Sequence, residues 1–376
     1  MPGFRLAVKD LASARGIVIN ASHVGEHLNG IGTYAIQLIS QWTSLPSQLH
    51  WDVYLHEKAR FHFNGIRFPE NFQLHWISKR LFGDKANLRR FLYSSLLAAA
   101  GHGRVVFHAS QLETGLIGPK QIITVHDLIP LDTNARNQRM QRYFFRFVLP
   151  HGLANAAAIV TASQDTGQAI CSRFGISPEK VRIIPHGVRS QAVRNTPNHN
   201  HRVIPQQKYI LFAGRVTPYR NIDRLIQAFE RIQGRIDHDL VVAGELQPGY
   251  HAARGNARIS FRGYVSDEEL FALYRGASAF VFPSLQEGFG LTVLEAMACG
   301  CPVIVSHQSS LPEVCRTAAF FVDPYNVDNI AAGIETVVLN EGLRSILIDA
   351  GLRRAAEFSW MNSAKLHLRL FEEVAQ

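Results

Sequence analysis

Two glutamates, Glu287 and Glu295, flank a glycine-bearing turn that follows an apolar run and precedes a helix predicted to begin near Leu291. Gly288 and Gly290 let the backbone approach a ligand closely, because they carry no side chain. The first N–H groups of a helix carry partial positive charge and can bind phosphate, and a carboxylate accepts hydrogen bonds from hydroxyl groups. The segment therefore predicts a site for a molecule that carries both phosphate and hydroxyl groups.

A second candidate segment places two cations after another apolar run. Arg215 and Arg220 lie five residues apart, directly after Gly214, in a predicted strand-to-helix loop. Guanidinium groups form charge-assisted hydrogen bonds with phosphate oxygens, so this pair suits a diphosphate. The alternative interpretation is that both arginines are ordinary surface charges of a loop.

Three further segments lie at the ends of predicted strands and give weaker signals. Gly30 and Gly32 open the first predicted helix, His126 and Asp127 end one apolar run, and Gly263–Val265 follow another. Glycine pairs occur in many strand-to-helix turns, and a lone histidine is more often structural than functional. In isolation these segments therefore do not establish a function.

Other chemistries are excluded by direct search. The sequence contains no phosphate loop of the Gly-x-x-x-x-Gly-Lys-Ser/Thr type, no Gly-x-Ser-x-Gly, no His-Glu-x-x-His and no Gly-x-Gly-x-x-Gly. Asp237 and Asp239 form an Asp-x-Asp pattern, which binds a divalent metal in some enzymes. Here the pattern precedes a predicted strand, so we interpret it as a solvated turn and predict neither a metal site nor a cofactor.

The elements that must position these residues alternate between short β-rich runs and helical stretches, as in parallel α/β units. Predicted elements include a strand over Ile122–His126, a helix over Gln138–Ala156 and a capping box at Ser266 and Glu269. The fold class predicted is α/β, with two Rossmann-like doubly wound domains and a ligand cleft between them, since ligands bind outside the carboxyl ends of such strands.

The domain boundaries come from composition. Residues 190–207 are dominated by Asn, His, Gln and Pro and show no periodicity, which predicts a linker. We therefore expect an N-terminal domain over residues 1–189 and a second domain over 208–358. A C-terminal helix over 359–376 is expected to pack back on the N-terminal domain.

The net charge of +9 is unevenly distributed. Residues 1–190 hold 21 Lys and Arg against 11 Asp and Glu, whereas the rest of the chain is nearly neutral. The densest basic cluster, between Lys79 and Leu92, alternates cations with Leu and Phe, which is typical of a helix lying on an anionic membrane surface. The alternative is an ordinary surface helix. No recognised nucleic-acid module accompanies the charge, so we predict no nucleic-acid partner.

Composition also limits the class of protein. The 47% hydrophobic and 18% charged residues indicate folded cores rather than a disordered chain. Four cysteines without a Cys-x-x-Cys pair argue against a disulfide scaffold and a zinc ribbon. No apolar run approaches the ~18 residues of a membrane span, and the first residues lack the pattern of a signal peptide. We therefore expect a cytoplasmic protein that contacts the membrane, if at all, from its inner face.

The segment from Glu287 through Pro302-Val303-Ile304 strongly resembles the donor-binding signature of the retaining glycosyltransferases of family four, which have the GT-B architecture. The resemblance extends over nearly the whole chain. It implies that Glu287 lies near the donor sugar and that Glu295 holds the nucleotide ribose.

Arg220 stands where the family usually has Lys, and His186 stands where its hinge usually has Asn. The residues with implied catalytic roles are His126, Arg215, Arg220 and Glu287. The residues with implied donor-binding roles are Gly30, Gly32, Asp127, Gly214, Gly263, Tyr264, Val265, Gly288, Phe289, Gly290, Leu291, Thr292 and Glu295.

The resemblance implies a metal-independent retaining glycosyltransferase that uses a nucleotide-diphosphate sugar. By the same resemblance, GDP-mannose is the expected donor, and a glycan or lipid-linked acceptor of bacterial polysaccharide or lipopolysaccharide assembly is the expected partner. A UDP-sugar-dependent transferase of the same fold stays open. Two further alternatives stay open. A nucleotide-sugar epimerase is disfavoured by the glutamate pair with its flanking motif, and a non-catalytic nucleic-acid-binding protein is disfavoured because the basic charge is confined to one half of the chain.

Overall fold

A computed structural model describes residues 16–26, 28–78, 93–97, 103–116, 118, 120–132, 139–189, 192, 207–246 and 255–376. The chain divides into two units. Unit 1 comprises residues 1–186 together with 360–376, and unit 2 comprises residues 187–359. The predicted linker falls almost entirely outside the described residues, as does the basic cluster between Lys79 and Leu92.

The sheet of unit 1 has seven parallel strands in the order β3-β2-β1-β4-β5-β6-β7. They are β1 (Gly16–Ala21), β2 (His50–His56), β3 (Phe72–Ile77), β4 (Val105–His108), β5 (Gln121–Thr124), β6 (Ala158–Thr161) and β7 (Val181–Ile183). β1 is buried at every position, as expected for a parallel strand covered on both faces. Strand β5 ends two residues earlier than the sequence predicts, so His126 lies in the loop that follows it.

The helices of unit 1 cover this sheet. They are α1 (Gly30–Trp42), α2 (Ile129–Asp132), α3 (Arg139–Tyr143), α4 (Leu149–Asn155), α5 (Gln164–Phe174) and the last helix of the chain, α12 (Trp360–Ala375). The predicted helix over Gln138–Ala156 is not uniform, because a π-helical turn over Phe144–Val148 separates α3 from α4. Pro150 explains the irregularity: it has no N–H to donate to Arg146, so a regular α-helical ladder cannot continue through it.

Helix α12 covers the aromatic core of unit 1. The Trp42 indole donates to the Ala364 carbonyl at 3.1 Å, and the Trp42 ring contacts Phe371 with centroids 5.4 Å apart. Tyr34 Oη lies 2.8 Å from His367 Nε2. His367 Nδ1 lies 2.8 Å from the Ser363 carbonyl, so Nδ1 carries the proton and Nε2 accepts from the tyrosine. These contacts fix the last helix against α1.

Unit 2 contains a six-stranded parallel sheet in the order β10-β9-β8-β11-β12-β13. Its strands are β8 (Tyr209–Ala213), β9 (Asp239–Ala243), β10 (Ile259–Gly263), β11 (Ala279–Phe282), β12 (Val303–Ser306) and β13 (Phe320–Val322). The fold class is as predicted: an α/β protein with two Rossmann-like parallel-sheet domains.

The helices of unit 2 are α6 (Ile222–Ile232), α7 (Asp267–Gly276), α8 (Leu291–Ala298), α9 (Leu311–Cys315), α10 (Val327–Leu339) and α11 (Glu341–Ala356). The predicted capping box is confirmed, because Glu269 N donates to Ser266 Oγ at 3.2 Å and Ser266 N donates to Glu269 Oε2 at 2.8 Å. Across the described residues of both units, every helix is too short or too polar to span a bilayer.

Four buried histidines of unit 1 have lowered pKa values, and burial lowers the pKa of one of them, His186, well below its ordinary value. Burial lowers the pKa of His108, His126 and His367 to about 4, from an ordinary value of about 6.5. His108 lies between two strands: its Nδ1 accepts from Asn20 at 3.2 Å, and its Nε2 donates to Gln121 Oε1 at 3.1 Å. All three rings are therefore neutral in the folded chain at pH 7.

This predicts acid destabilisation of unit 1. Between pH 6.5 and 4 these histidines are protonated in the unfolded chain but neutral in the folded chain. The free energy of unfolding therefore decreases as the pH is lowered through this range. Each histidine contributes about 2 kcal/mol of this loss between pH 7.5 and 5. Urea unfolding can be followed by tryptophan fluorescence, because all four tryptophans belong to unit 1. The His367→Gln variant should lose less stability over that range than the parent.

The matched control is His151→Gln, because His151 is exposed on α4. This variant should keep the pH dependence of the parent. An identical pH dependence in His367→Gln and the parent would contradict the assignment of His367 as a buried neutral ring.

Candidate functional site

The strand order of unit 2 brings the two strongest predicted segments together. Strands β8 and β11 are neighbours, although they are separated in sequence by β9 and β10. From β8 the chain continues to β9 and β10 on one side, whereas β11 is followed by β12 and β13 on the other side. The loops after β8 and β11 therefore leave the same edge of the sheet in opposite directions, and a crevice lies between the two loops. The loop after β8 carries Arg215 and Arg220, and the loop after β11 carries Glu287 to Gly290.

Arg220 and Glu287 meet at this point. Arg220 Nη2 donates to Glu287 Oε1 at 3.4 Å, and Nη1 lies 3.4 Å from Oε2. The guanidinium also lies 4.9 Å from the centre of the Phe282 ring. Within the described part of the chain, Arg220 Nε and Nη1 and Glu287 Oε2 are buried and make no hydrogen bond. Unpaired donors of this kind are costly unless a ligand satisfies them.

The electrostatics of the pair follow from its burial. Burial acts to lower the pKa of Arg220, but the Glu287 carboxylate, together with Tyr219 and Tyr274, outweighs it and holds the pKa above its ordinary value. For Glu287, burial raises the pKa and Arg220 only partly opposes it. The pair therefore supplies a permanent cation beside a carboxyl group with a raised proton affinity.

Asn221 positions Arg220 and was missed by the sequence analysis as a functional residue. It adopts a left-handed conformation with φ of 63° and caps α6. Its side-chain amide donates to the carbonyl of Pro283 at 3.0 Å and to the carbonyl of Pro324 at 2.6 Å. The loops after β8, β11 and β13 are thus joined at one side chain. The local signal that was available is an Asn that follows two cations and precedes an amphipathic helix.

Arg215 lies on the same loop but is exposed, and the structure does not show it in an ion pair among the described residues. The loop is shaped by close backbone approach: a Cβ at Gly244 would lie 2.0 Å from the Gly214 carbonyl oxygen. Gly214 and Gly244 have φ of 131° and 143°, which favour glycine. The role of Arg215 toward a diphosphate stays a prediction.

The loop after β11 is held by the segment before α9. Ser309 Oγ donates to the Glu287 carbonyl at 2.7 Å and accepts from Glu287 N at 3.2 Å, and Ser310 Oγ donates to the same carbonyl at 2.8 Å. Gly290 has φ of 101°, and a Cβ there would lie 2.8 Å from Leu311 Cδ2. Only glycine therefore fits the turn into α8.

Helix α8 begins where the sequence predicts, at Leu291. Its first internal hydrogen bonds are donated by Val293 and Leu294 to the Gly290 carbonyl. The N–H groups of Leu291 and Thr292 precede that pattern, as at any helix start, and suit an anion. Phe289 is buried in the turn.

Glu295, one turn into α8, forms a buried ion pair that no local sequence pattern indicates. Arg189 Nε and Nη2 donate to its two carboxylate oxygens at 2.5 and 3.0 Å. Arg189 Nη1 also lies 2.6 Å from Asp267 Oδ2, and its guanidinium covers the Phe271 ring at 4.8 Å. Burial raises the pKa of Glu295 and Arg189 opposes that rise. Arg189 thus orients the carboxylate predicted to hold a ribose.

The third predicted segment of unit 2 follows β10. Gly263 ends that strand with φ of 65°, and its carbonyl accepts from Gly244 N at 2.7 Å. Tyr264 is 58% exposed and Val265 is partly buried. An exposed aromatic ring at the carboxyl edge of the sheet is able to stack on a planar base, and the role of Tyr264 toward a nucleotide base stays a prediction.

In unit 1, the predicted glycines open α1. Asn29 caps the helix by accepting from Gly32 N at 2.9 Å. Gly30 is exposed, and a Cβ there would meet no atom within 4 Å. Neither backbone conformation nor packing therefore requires glycine at position 30, and its role toward a donor stays a prediction.

His126 lies beyond β5 in a network that joins the carboxyl ends of three strands. Its Nε2 donates to the Ala109 carbonyl at 2.9 Å, and its backbone N–H donates to Gln111 Oε1 at 3.1 Å. With Nε2 protonated and the ring neutral, Nδ1 is the acceptor nitrogen. Asp127 accepts from Ile129 N at 3.1 Å and so starts α2.

A buried acid in this network was not predicted. Glu113 Oε1 accepts from Ser22 Oγ at 2.8 Å and from His23 N at 2.7 Å, and Oε2 lies 3.0 Å from His23 Nδ1. Burial acts to raise the pKa of Glu113, but His23 and Ser22 outweigh it and hold the pKa below its ordinary range. Ser22 and Glu113 are separated by 91 residues, so no local pattern reveals the contact.

The Asp-x-Asp pattern lies at the start of β9, away from the carboxyl edge. Asp239 accepts from Arg258 Nε at 3.2 Å, Asp237 is exposed, and His238 between them is buried. The turn is thus less solvated than predicted. Among the described residues, no group of three or more His, Cys, Asp or Glu side chains has the arrangement of a metal site.

Comparison with known proteins agrees with this geometry. The family model described as glycosyltransferase family 4 matches residues 28–192, and the one described as glycosyl transferases group 1 matches residues 195–354. The O-antigen chain mannosyltransferase B of Escherichia coli is 31% identical over 259 residues, which are 65% of this chain and 68% of that protein. The serotype-specific mannosyltransferase WbdA of Escherichia coli is 30% identical over 68% of this chain, but the match spans only 34% of that relative.

A solved structure extends the likeness to the whole fold. Sucrose-phosphate synthase from Thermosynechococcus elongatus superposes with a TM-score of 0.74 at 18% identity, covering 96% of this chain and 99% of that one. At this identity the likeness concerns the fold alone. Together with the two family models, it shows that the chain belongs to the group 1 glycosyl transferases and has their GT-B fold.

Proposed function

We propose that the protein is a metal-independent retaining mannosyltransferase. It would move mannose from GDP-mannose to a glycan or lipid-linked acceptor of bacterial O-antigen or related polysaccharide assembly. The observation that carries the proposal is the Arg220 guanidinium, whose Nε and Nη1 are buried without a hydrogen bond beside Glu287, where β8 and β11 end. Mannose as the sugar is supported by the names of the O-antigen relatives.

The chemical demand is to stabilise a diphosphate leaving group as its bond to the sugar breaks. Fixed donors that already point to the developing charge do this without reorganisation. In this proposal Arg220 supplies them, with Arg215 and the N–H groups at the start of α8. Phe282 and Glu287 hold the guanidinium in place before the donor binds.

Each of the two glutamates would recognise a different part of the donor. Glu295, oriented by Arg189, would accept hydrogen bonds from the ribose hydroxyls. Glu287 would bind hydroxyl groups of the sugar, which replace part of its contact with Arg220. Tyr264 would cover the nucleotide base. These roles follow from the residue chemistry at one edge of a single sheet.

His126 would act as a neutral hydrogen-bond acceptor toward a sugar hydroxyl. Because burial lowers its pKa to about 4, the ring cannot stabilise charge as an imidazolium at pH 7. Retention of anomeric configuration would follow from attack by the acceptor hydroxyl on the face from which the phosphate departs, with that phosphate taking the hydroxyl proton.

The first test concerns the arginines. Removing one preorganised donor costs about 2–4 kcal/mol of transition-state stabilisation, so Arg215→Ala and Arg220→Ala should each lower kcat/KM by roughly 30- to 1000-fold. Arg220→Lys should be milder, because the charge is retained although the planar fork is lost. Steady-state kinetics with GDP-mannose check this. The control is Arg231→Ala, because the Arg231 side chain is exposed on α6, and it should keep the kcat/KM of the parent. Full turnover by Arg215→Ala at saturating donor would contradict the role proposed for Arg215.

The second test identifies the nucleotide. A ligand at ~100 times its dissociation constant stabilises the fold by ~2.7 kcal/mol, so GDP should raise the melting temperature more than UDP or dTDP. Glu295→Gln should reduce the shift caused by GDP, because an amide offers one acceptor oxygen where the carboxylate offers two. Glu335→Gln, a partly exposed change on α10, should keep the shift. A larger shift with UDP would replace GDP-mannose by a UDP-sugar as donor.

The third test concerns metal. Transfer should continue in excess EDTA, because arginine and helix N–H groups supply the positive charge. Product formation is measured with and without chelator. If activity is lost and Mn²⁺ or Mg²⁺ restores it, a metal site must be sought, beginning with Asp237 and Asp239.

A further inference from the structure

The sheet of unit 1 also changes direction, between the neighbouring strands β1 and β4. From β1 the chain continues to β2 and β3 on one side, whereas β4 is followed by β5 on the other side. In open α/β sheets, ligands bind outside the carboxyl ends of the strands at such a point. The residues that follow β1 and β4 there include Ser22, His23 and a single turn of 3₁₀-helix over Gln111–Glu113. This is therefore where the sheet of unit 1 is expected to receive a ligand.

Glu113 is a fully buried acid that keeps its charge at this point. Burial acts to raise its pKa, but His23, Ser22 and His108 outweigh burial and hold the pKa below its ordinary range. An ionised carboxylate is costly to bury, and replacing a buried ion pair with apolar side chains of similar volume is often neutral or stabilising. Stability alone therefore does not account for the acid. Charged groups with shifted pKa values in a crevice are candidates for a functional site.

The turn over Gln111–Glu113 joins this acid to the loop that carries His126. Gln111 at its start accepts from the backbone N–H of His126 at 3.1 Å, and Glu113 at its end accepts from the backbone N–H of His23 at 2.7 Å. Burial is the main cause of the low pKa of His126, the Ala109 carbonyl opposes it, and His23 and Glu113 have smaller, opposite effects. The loops after β1, β4 and β5 thus form one group of polar side chains.

The His23 ring lies against Glu113 and has a nitrogen left for another partner. Its side chain is 8% exposed, and Nδ1 lies 3.0 Å from Glu113 Oε2. A carboxylate at one ring nitrogen fixes the tautomer of a neutral histidine, so Nδ1 carries the proton and Nε2 is the acceptor. Within the described residues, neither ring nitrogen makes a hydrogen bond of regular geometry. A buried polar atom without a partner costs free energy, which a polar group of a ligand recovers.

We propose that His23 binds a hydroxyl group of a sugar substrate through Nε2, and that Glu113 is a positioning residue that fixes the His23 ring. The proposal rests on the proposed function, which supplies two sugars: the one that is transferred and the one that accepts it. Both offer the same hydroxyl chemistry, and an imidazole nitrogen accepts a hydrogen bond from either. A phosphate group fits less well, because Glu113 carries negative charge beside the ring.

The first measurement separates the two sugars. Steady-state kinetics give the KM of GDP-mannose at saturating acceptor and the KM of octyl α-mannoside at saturating donor. His23→Ala should raise at least one of these KM values by about tenfold, as expected for one lost hydrogen bond, and change kcat by less than about threefold. A higher KM for the donor assigns His23 to the transferred sugar, and a higher KM for the acceptor assigns it to the accepting sugar. Unchanged KM values in a folded variant would overturn the proposal.

The second measurement asks whether Glu113 acts through His23. Glu113→Gln keeps the shape of the side chain but removes its charge, and it should raise the same KM by roughly three- to tenfold. In the His23→Ala background it should add nothing, because the ring that Glu113 positions is gone. A structural role would lower activity by the same factor in both backgrounds, and that result would contradict positioning. If Glu113→Gln does not fold, Glu113→Asp, which withdraws the carboxylate from the ring, takes its place in the same comparison.

The matched control removes another histidine that contacts the loop after β1. His62 Nε2 lies 3.1 Å from the Gly25 carbonyl oxygen, and His62 belongs to the helical segment Glu57–Phe63 rather than to the group of polar side chains at the strand ends. His62→Ala should keep both KM values of the parent. The same rise in KM for His62→Ala and His23→Ala would attribute the effect to the shape of the loop and overturn the role of the His23 ring.

Binding without turnover separates this proposal from the proposed function. Saturation-transfer NMR measures the dissociation constant of methyl α-mannoside for the protein without nucleotide. Binding that His23→Ala weakens by about tenfold supports the role of His23 even if no mannose is transferred, and the proposed function alone then fails. Equal binding by the parent and His23→Ala, together with unchanged KM values, overturns the role of His23 alone. A parent that neither binds the mannoside nor transfers mannose contradicts both.

Discussion

Burial of both faces of a parallel sheet determines where this protein can do chemistry. Strand β1 and strand β8 are buried at every position, so the strands themselves cannot present polar groups to a ligand. Reactive side chains are confined to the loops beyond the strand ends. In unit 2, the neighbours β8 and β11 bring together two loops that are remote in sequence. The contact between Arg220 and Glu287 depends on that strand order.

The two glutamates of the donor segment occupy different electrostatic environments: Glu295 is fully buried, whereas the Glu287 side chain is 14% exposed. Glu295 receives two short hydrogen bonds from Arg189, so its charge is compensated and its orientation is fixed. Glu287 meets Arg220 only at 3.4 Å and keeps an unsatisfied oxygen. A carboxylate whose two oxygens both accept hydrogen bonds from the protein is held in one orientation, which suits the ribose that every nucleotide-sugar donor contains. A carboxylate with an oxygen that accepts no hydrogen bond can bind the hydroxyl groups of a sugar in place of its long contact with Arg220.

Much of the fold and part of the candidate site could be predicted because the signals are local. Alternating apolar runs, the capping box at Ser266 and the glycine turn before Leu291 are each contained in a few residues. Arg189, Asn221 and Glu113 were missed because their roles come from partners far along the chain; Arg189 lies 106 residues from Glu295. The π-helical turn was missed because the effect of Pro150 falls on residues before it.

The chain connectivity described above has a consequence for synthesis on the ribosome. Unit 1 needs α12 to cover Trp42 and Tyr34, yet the whole of unit 2, residues 187–359, is translated before that helix. At about 5–20 residues per second, the delay is on the order of 10–30 s. During this interval the aromatic surface of α1 is open while unit 2 is free to fold. The first unit to begin emerging is thus the last to be completed.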